Sequence, residues 1–486
     1  MSQVKRFAVD VSWAFISSVV TLPVLFSIRI VLARWLGASD LGLYQMIVTI
    51  HIIATIAATF GIPAAITKFT AESLDNSERL QQVIFSGIIC SFVFGSIVAL
   101  VIYIFSGLLS RLFHMPELTP LLHILAFIFP FTSVFKTIIG ILNGLRRMKV
   151  YAFLVVMQNT LLIIFTVLLV GLGYGISGAV FGLVLSMVLI CGVAIFYTRD
   201  IIKVTLYNII KATRNLLSFG ILLLGSNTVN VLSNQVDIVL IGFFLTKEDV
   251  GIYSVAVYLS MCLLLVPGAI QRITYPATSE YLSKNNINAL HKMLDKSTKY
   301  STSMLLPIGL GIGFFAGEIM TLLFGDNFGP AVLPLQILLI ARVIRGGTTA
   351  PIGASMTGAG RPGISFGIET FSTISNIFLI ILLIPRYGIT GAAIGTTVSL
   401  LLANGVFLIL MPRILKVKID YIWYAKIFSL AGLSILVFLT ASHFINQYVA
   451  GTIILCIFSI YILRYALTNE DRSMFKSLLK LAIPGN

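Results

Sequence analysis

The chain has 486 residues, of which 58% are hydrophobic and only 10% are charged, and its formal net charge is +15. Soluble domains carry about 25% charged residues, so the composition excludes an ordinary soluble protein and predicts an all-α polytopic membrane protein. A strongly basic balance also suits nucleic-acid-binding proteins, but the positions of the basic residues, described below, argue against a nucleic-acid partner.

Fourteen apolar runs follow one another along the chain, each near the ~20 residues that a helix needs to cross a bilayer. The first run comes after MSQVKR and exceeds the roughly 7–15 residues of a signal-peptide core, so we expect it to be retained as a helix. Spans 1 to 14 are predicted at 9–31, 43–66, 83–109, 119–141, 151–171, 176–197, 216–244, 251–275, 303–324, 331–356, 363–384, 389–411, 424–444 and 448–465.

The basic residues between these spans predict the topology. With the N-terminus in the cytoplasm, the segments on that side hold 24 lysines and arginines, and the opposite segments hold 4. An excess of this kind marks the cytoplasmic side of a membrane protein. We therefore expect a multi-pass protein of the cell membrane with both termini in the cytoplasm, and the net charge reflects this topology.

Two long motifs of the first half return in the second half. IVLARWLGASDLGLY (30–44) matches IVLIGFFLTKEDVGIY (238–253), and GYGISGAVFGLVLSMVL (173–189) matches RYGITGAAIGTTVSLLL (386–402). Spans 1–6 and 7–12 are therefore homologous six-helix bundles, and they share one orientation because six is an even number. The predicted domains are the N-terminal bundle at 1–197, a basic cytoplasmic linker at 198–215, the C-terminal bundle at 216–411, and two further helices with a cytoplasmic tail at 412–486.

One repeated motif contains the GxGxxG fingerprint of dinucleotide-binding proteins, at Gly173, Gly175 and Gly178. That fingerprint works between a strand and a helix of a soluble βαβ unit. Here it falls between two predicted spans. We interpret the glycines as a tight turn followed by close helix packing.

Three turn motifs accompany this order of spans: RWLGASDLGLY after span 1, GYGISGA between spans 5 and 6, and GAGRPG after span 10. With them the chain resembles the polysaccharide-transporter branch of the MOP flippase superfamily, which includes Wzx-type O-antigen flippases and the sporulation protein B-like group. MurJ-type lipid II flippases and MATE drug exporters are more distant members. The resemblance covers essentially the whole chain and implies a MOP/MATE-like fold.

Four basic residues, Arg29, Lys136, Arg342 and Arg345, fall well inside predicted spans. A charge at the bilayer centre costs at least ~2.5–3.5 kcal/mol, so such residues usually mark a substrate or ion path. Arg342 and Arg345 are three residues apart and share one helical face. Arginine binds phosphate through two parallel hydrogen bonds and lysine binds it as a point charge, so this set favours an anionic substrate.

Polar residues at helical spacing accompany these charges. On span 7, Ser226, Asn230, Asn234 and Asp237 share one face, and Asp237 is the repeat equivalent of Arg29. We expect one cavity lined by spans 1, 4, 7, 10 and 11. Its candidate substrate-binding residues are Arg29, Lys136, Asn230, Asn234, Asp237, Arg342, Arg345 and Glu369. The alternative is that charge pairs, such as Arg345 with Glu369, only lock helices together.

A histidine within span 2 and an amphipathic segment before span 9 lead to two further predictions. His51 on span 2 either relays protons or forms a hydrogen bond to a neighbouring helix. The segment 279–307 places Leu290, Met293 and Leu294 on one helical face with lysines around it, which predicts an interfacial helix on the cytoplasmic leaflet.

The surplus of cations and the family resemblance together imply a flippase. We expect it to move a polyprenyl-diphosphate-linked oligosaccharide from the cytoplasmic to the outer leaflet by alternating access, beside glycosyltransferases of the same pathway. The expected protein is a monomer in contact with substrate and membrane lipids, is not an enzyme, and uses no metal or cofactor, with coupling to a proton or sodium gradient left open. The alternatives are a MATE-like cation-coupled exporter of small molecules and a membrane glycan polymerase or ligase.

The topology is testable by labelling single cysteines with a membrane-impermeant reagent. Cysteines at positions 148, 208, 286 and 418 should react only after the cytoplasmic side is opened, and those at 115, 248, 327 and 387 should react in intact cells, because the basic loops mark the inside. Reversal of any two positions would contradict the fourteen-span topology.

Overall fold

The computed structural model describes residues 3–202, 205 and 209–466, with side chains from residue 24 onward except those of residues 25, 222, 226, 465 and 466. The regular structure of these residues is helical, with no strand among them. The chain divides into two compact units, Met1–Val255 and Ala256–Asn486. The predicted bundles, 1–197 and 216–411 with the linker 198–215 between them, are defined from the sequence repeat, and their boundaries remain a prediction.

The first unit contains eight complete helices and the start of a ninth. Helices α1 to α9 are Gln3–Thr59, Ile62–Glu72, Ser77–Leu112, Leu118–Ala126, Ile128–Gly144, Met148–Leu169, Gly175–Thr198, Ile209–Phe244 and Lys247–Met261. The second unit contains the rest of α9 and the helices after it. Helices α10 to α17 are Leu265–Ser283, Ile287–Phe314, Ala316–Phe324, Val332–Thr348, Ser355–Gly358, Pro362–Leu415, Tyr421–Ala441 and Gln447–Tyr461.

Eight helices of the described chain are long and apolar enough to cross a membrane, or up to eleven if each of three bent pairs forms one span. This agrees with the predicted all-α polytopic class. Three of the eight contain a glycine with non-helical backbone angles: Gly37 in the first, Gly173 in the stretch from 148 to 198, and Gly388 in α15. Each of these glycines falls between two predicted spans, and the exact count of fourteen spans stays a prediction.

The backbone has the same conformation at the paired turns of the two repeats. Gly175 has φ 55° and ψ −141°, and its repeat equivalent Gly388 has φ 56° and ψ −139°. Glycine is the residue that adopts a positive φ without steric cost. The predicted interpretation of GYGISGA as a tight turn is therefore confirmed.

A second pair of turns agrees in the same way. Arg146 and its repeat equivalent Gly360 have φ values of 56° and 74°. In each turn the next N–H, from Arg147 or Arg361, donates to the carbonyl oxygen five residues earlier at 2.9 Å. This is the Schellman hydrogen bond that ends a helix. The matched turns are what a duplicated chain is expected to show.

The helix predicted within 279–307 is present, but the apolar face that suggested a membrane surface packs on protein. Helix α11 runs without a break from Ile287 to Phe314, so this segment continues directly into predicted span 9. Its apolar face does not need a membrane surface, because Leu290 and Leu294 are buried against Ile352, Met411 and other apolar side chains of the second unit. The linker 198–215 lies partly outside the described residues, and residues 209–215 form the first turns of α8.

Helix α5 is the central helix of the first unit and packs against α2, α3 and α7. Its glycines let the backbones approach closely. A Cβ atom added to Gly140 would lie 2.5 Å from the Pro63 carbonyl oxygen, and one added to Gly144 would lie 2.7 Å from the Thr67 carbonyl oxygen. These glycines bring α2 against α5 at van der Waals distance.

The backbones of α1 and α9 touch at a pair of repeat-equivalent glycines. A Cβ atom on Gly42 would lie 1.7 Å from the Lys247 carbonyl oxygen, and one on Gly251 would lie 2.0 Å from the Ala38 carbonyl oxygen. Beside this crossing, the Lys247 ammonium donates a hydrogen bond to the Glu117 carboxylate. That bond lowers the pKa of Glu117 below its usual range.

We predict that Gly391→Ala destabilises the protein and that Gly405→Ala, in the same helix α15, does not. A Cβ atom at Gly391 would lie 2.4 Å from the Leu383 carbonyl oxygen, whereas one at Gly405 would meet nothing within 4 Å. Overpacking of this kind costs roughly 1–3 kcal/mol, while alanine at an open helical position gains up to about 1 kcal/mol. Thermal unfolding of the two variants in detergent measures the difference, and equal stabilities would contradict the packing described here.

Candidate functional site

Helix α5 carries one accessible stripe on an otherwise buried surface. The residues before and after Lys136 in the chain, Phe135 and Thr137, are only 3% and 0% exposed. Lys136 itself is exposed. Ile139 is partly exposed and Asn143 is exposed, and the spacing of three and four residues places all three on one helical face. An ammonium group on a lipid-facing surface is strongly unfavourable, so this stripe faces a water-filled space.

Among the residues whose side chains the structure describes, the Lys136 ammonium has no acidic partner. Within the part of the chain that the structure describes, it forms no ion pair and no hydrogen bond. The nearby His51 on α1 has its ring Nε2 3.5 Å from the Thr132 hydroxyl oxygen and its ring centroid 5.7 Å from that of Phe129. The expected contact of His51 with a neighbouring helix is therefore present, and a proton-relay role stays untested.

A second accessible stripe lies on α8. Asn227, Asn230 and Asn234 are all exposed and are spaced by three and four residues, on one helical face. The Asn234 side-chain NH2 group donates to the Asn230 backbone carbonyl oxygen at 2.7 Å. The Asn234 side-chain oxygen is not used in that bond and can accept from other partners. Amide side chains of this kind bind hydroxyl groups as both donors and acceptors.

Asp237 lies on the same helix but is buried. It is 8% exposed, and its carboxylate accepts a hydrogen bond from the Tyr253 hydroxyl at 3.1 Å. Arg29, its repeat equivalent on α1, is 6% exposed, and α1 packs against α8. Both side chains are largely buried in this structure, and their predicted role in lining a substrate cavity stays a prediction.

Buried amide and hydroxyl groups join α1 to α8 beside these charges. The Gln45 side-chain amide donates to the Thr49 hydroxyl at 3.3 Å. That hydroxyl donates to the Gln235 side-chain carbonyl oxygen at 3.2 Å. Hydrogen bonds between helices satisfy polar groups that apolar surroundings would otherwise leave unpaired.

In the second unit, Arg345 on α13 and Glu369 on α15 form an ion pair. This is the pair that the sequence suggested as one that could hold two helices together without binding substrate. The Arg345 Nη2 atom lies 2.9 Å from the Glu369 Oε1 atom, and the two side chains are 31% and 38% exposed. Half-exposed pairs of this kind are partly screened by water. The pair is accessible enough to exchange one partner for a ligand.

Arg342, one helical turn before Arg345, is 7% exposed and lies on the buried face of α13. Next to this region, the Asn404 side-chain oxygen accepts hydrogen bonds from the hydroxyls of Thr348 and Thr349. On α15, Ser372 and Asn376 are buried while Phe371 and Phe378 are exposed, so the polar side chains of this segment face inward.

The structure thus divides the predicted set by accessibility. Lys136, Asn230 and Asn234 are open to solvent in the first unit, and Arg345 and Glu369 are partly open in the second. Arg29, Asp237 and Arg342 are buried.

Two residues of the site were missed by the sequence analysis. Asn227 shares the spacing of the asparagine stripe, so helical periodicity alone identifies it. Tyr253 bonds to Asp237 across a helical hairpin, and both residues stand eight positions from Leu245. Residues equidistant from the turn of an antiparallel hairpin lie at the same depth, which is the signal that identifies the pair.

Comparison with known proteins shows the family and the fold. Residues 7–282 match the family described as polysaccharide biosynthesis protein. The chain is 25% identical over 389 residues to a Haloferax volcanii protein named "Probable low-salt glycan biosynthesis flippase Agl15", and the match covers 80% of each chain.

The solved structures with a similar fold include two transporters. The lipid II flippase MurJ in an inward closed conformation has a TM-score of 0.76 at 18% identity, covering 94% of this chain and 99% of that one. An inward-facing MATE family transporter of the MOP superfamily has a TM-score of 0.68 at 17% identity, covering 82% of this chain and 94% of that one. At these identities the likeness establishes the MOP-type fold alone.

We predict a small energetic coupling between Arg345 and Glu369. A double-mutant cycle with Arg345→Gln and Glu369→Gln, measured by equilibrium unfolding in detergent, should give a coupling free energy of about 0.5–1 kcal/mol. The value is small because both side chains are partly exposed to solvent. The exposed pair Lys284–Glu280 at the C-terminal end of α10 is the matched control and should give less. A coupling of about 3 kcal/mol or more, as for a buried pair, would show instead that Arg345 and Glu369 lock the helices.

Proposed function

Because the chain belongs to the family of polysaccharide biosynthesis proteins, which its residues 7–282 match, we propose that it is a flippase for a lipid-linked oligosaccharide. The substrate class is a polyprenyl diphosphate that carries the glycan. The protein moves it from the cytoplasmic to the outer leaflet by alternating access. A relative named as a glycan biosynthesis flippase supports this assignment.

The observation that most directly supports an anionic substrate is the environment of Lys136. It is an accessible ammonium on the central helix of an apolar unit, with no carboxylate bonded to it in the described chain. A cation in such a place is retained at a cost in stability. A phosphate group offsets that cost, because it supplies the negative charge that the protein does not.

The asparagine stripe of α8 supplies the second part of the substrate site. Sugars present hydroxyl groups that both donate and accept hydrogen bonds, and the side-chain amides of Asn227, Asn230 and Asn234 do the same. Their exposure leaves them available to the glycan. In this proposal Lys136 holds the diphosphate and the asparagines contact the sugars.

Alternating access requires contacts in the first unit that open and close. The Thr49–Gln235 hydrogen bond and the buried positions of Arg29 and Asp237 belong to one conformation of α1 against α8. Separation of these helices would expose both charges to water. We propose that Arg29 and Asp237 join the substrate site only in that second conformation, where Arg29 adds a second cation for the diphosphate.

The protein's surroundings and its energy source complete the proposed transport cycle. We propose that it acts as a monomer in the cell membrane with cytoplasmic termini, beside glycosyltransferases of the same pathway. Transport changes no covalent bond, so no catalytic residue and no cofactor enter the mechanism. A proton or sodium gradient is the proposed driving force, and its collapse by an ionophore should slow transport.

We predict that Lys136→Gln lowers translocation of a lipid-linked oligosaccharide in reconstituted vesicles by at least about tenfold. Loss of one hydrogen bond to a charged group costs roughly 1.5–3 kcal/mol, and each 1.4 kcal/mol is tenfold in affinity. Lys136→Arg should keep part of the activity because it keeps the charge. Lys149→Gln, which removes an exposed lysine from the start of α6, is the matched control and should transport normally.

The same assay separates the proposal from its alternative, a MATE-like exporter of organic cations. Soluble pyrophosphate should compete with the lipid-linked substrate in the parent protein and lose that effect in Lys136→Gln. A cation exporter should instead gain transport of a cationic dye when Lys136 loses its charge. Normal oligosaccharide translocation by Lys136→Gln would overturn the diphosphate role of this residue.

A further inference from the structure

A cavity of about 430 Å³ lies in the first unit, away from Lys136 and the asparagine stripe. It is bounded by the end of α2, the first turns of α3 and the first turns of α8. Residues that the proposed transport site does not use line it, among them Phe69, Arg79, Gln82, Lys211, Asn215 and Leu216. Its volume suits a ligand headgroup and greatly exceeds that of a single water molecule.

The cavity has a cationic rim. Arg79 on α3 and Lys211 on α8 are both exposed and both line it, so two helices each contribute one cation. One acid, Glu78, is also on the wall, and its carboxylate accepts a hydrogen bond from the Gln82 amide at 3.4 Å. The rim therefore carries two positive charges and one negative charge.

The floor of the same cavity is apolar. Leu216 is fully buried in a cluster with Ile66 and Val83, and Phe69 packs against that cluster. A ligand in the cavity would contact cations and amides at the rim and, at the floor, the partly exposed Phe69 ring that covers this buried cluster. This combination selects an amphipathic anion over a free ion, because a free phosphate gains nothing from the apolar floor.

We propose that this cavity binds the phosphate headgroup of an anionic membrane lipid, with the glycerol or first acyl carbons against the Phe69 ring. Arg79 donates two hydrogen bonds to the phosphate and Lys211 adds a point charge. Both residues fall in segments predicted to face the cytoplasm, and anionic lipids are enriched in that leaflet. The bound lipid bridges α3 and α8 and thereby favours the conformation in which these helices are close.

The experiment measures lipid retention, so it is independent of the transport proposal. Protein in mixed phosphatidylglycerol and phosphatidylcholine nanodiscs is released into detergent, and retained lipid is counted by native mass spectrometry. The variants are Arg79→Gln/Lys211→Gln, which removes the cationic rim, and Asn215→Trp, which fills the cavity from an exposed position without changing charge. The control, Lys292→Gln/Arg413→Gln, removes one exposed lysine and one exposed arginine from elsewhere on the chain.

We expect each basic residue to contribute about fivefold to phosphatidylglycerol affinity, which corresponds to about 1 kcal/mol. The rim variant should thus retain about twenty-five-fold less phosphatidylglycerol, Asn215→Trp should also lose it, and the control should match the parent protein. Phosphatidylcholine retention should change little in any variant.

Three results would overturn the proposal. Equal losses in the rim variant and the control would mean non-specific attraction to charge. Full retention by Asn215→Trp would mean that the lipid lies outside the cavity. If millimolar inorganic phosphate displaced phosphatidylglycerol and bound with the same affinity as the lipid, the cavity would be a site for free phosphate. If the rim variant fails to fold, as judged by size-exclusion chromatography, the result for Asn215→Trp decides.

Discussion

The backbone contact between Gly42 on α1 and Gly251 on α9 limits how the first unit can be assembled. No side chain fits there, because a Cβ atom on either glycine would overlap a carbonyl group of the other helix. The same restriction recurs where a Cβ atom on Gly61 would lie 2.4 Å from the Gly220 carbonyl oxygen. These contacts bring α8 and the start of α9 against α1, so two helices that belong to the second repeat by sequence pack into the first compact unit. In apolar surroundings such close approach supplies packing energy that the hydrophobic effect does not.

Close packing at glycines also explains why polar side chains can be accessible inside this unit. Helix α5 is held on several sides by α2, α3 and α7, so its conformation does not depend on the residues of its remaining face. That face is open to water and carries Lys136 and Asn143. A lysine placed on any of the packed faces would be buried without a partner, at a cost of several kcal/mol. The rigid surroundings of α5 thus fix the one direction in which a cation is tolerated.

The intramembrane charges do not all have the same role. Arg345 and Glu369 neutralise each other across α13 and α15 at 2.9 Å, whereas Lys136 has no such neighbour in the described chain. A paired arginine gains little from an anionic substrate unless its acid moves away, and an unpaired lysine gains the full interaction. In the proposed mechanism, substrate affinity in one conformation therefore depends most on Lys136, and the buried Arg29 and Arg342 contribute only after a change of conformation.

The sequence by itself determined the helical class, the duplicated turns and the identity of the charges. It did so because span length, glycine position and helical periodicity are local properties, and the nearly identical backbone angles of Gly175 and Gly388 follow directly from them. Periodicity also placed Asn230 and Asn234 on one face. Only the tertiary structure decided which polar residues reach water, because accessibility depends on the helices packed around each one. Asp237 belongs to the same stripe as Asn234, yet it is buried beneath Tyr253. Likewise, the amphipathic start of α11 has the same pattern whether it covers a membrane or a protein, and only the neighbouring side chains of Ile352 and Met411 show that it packs on protein.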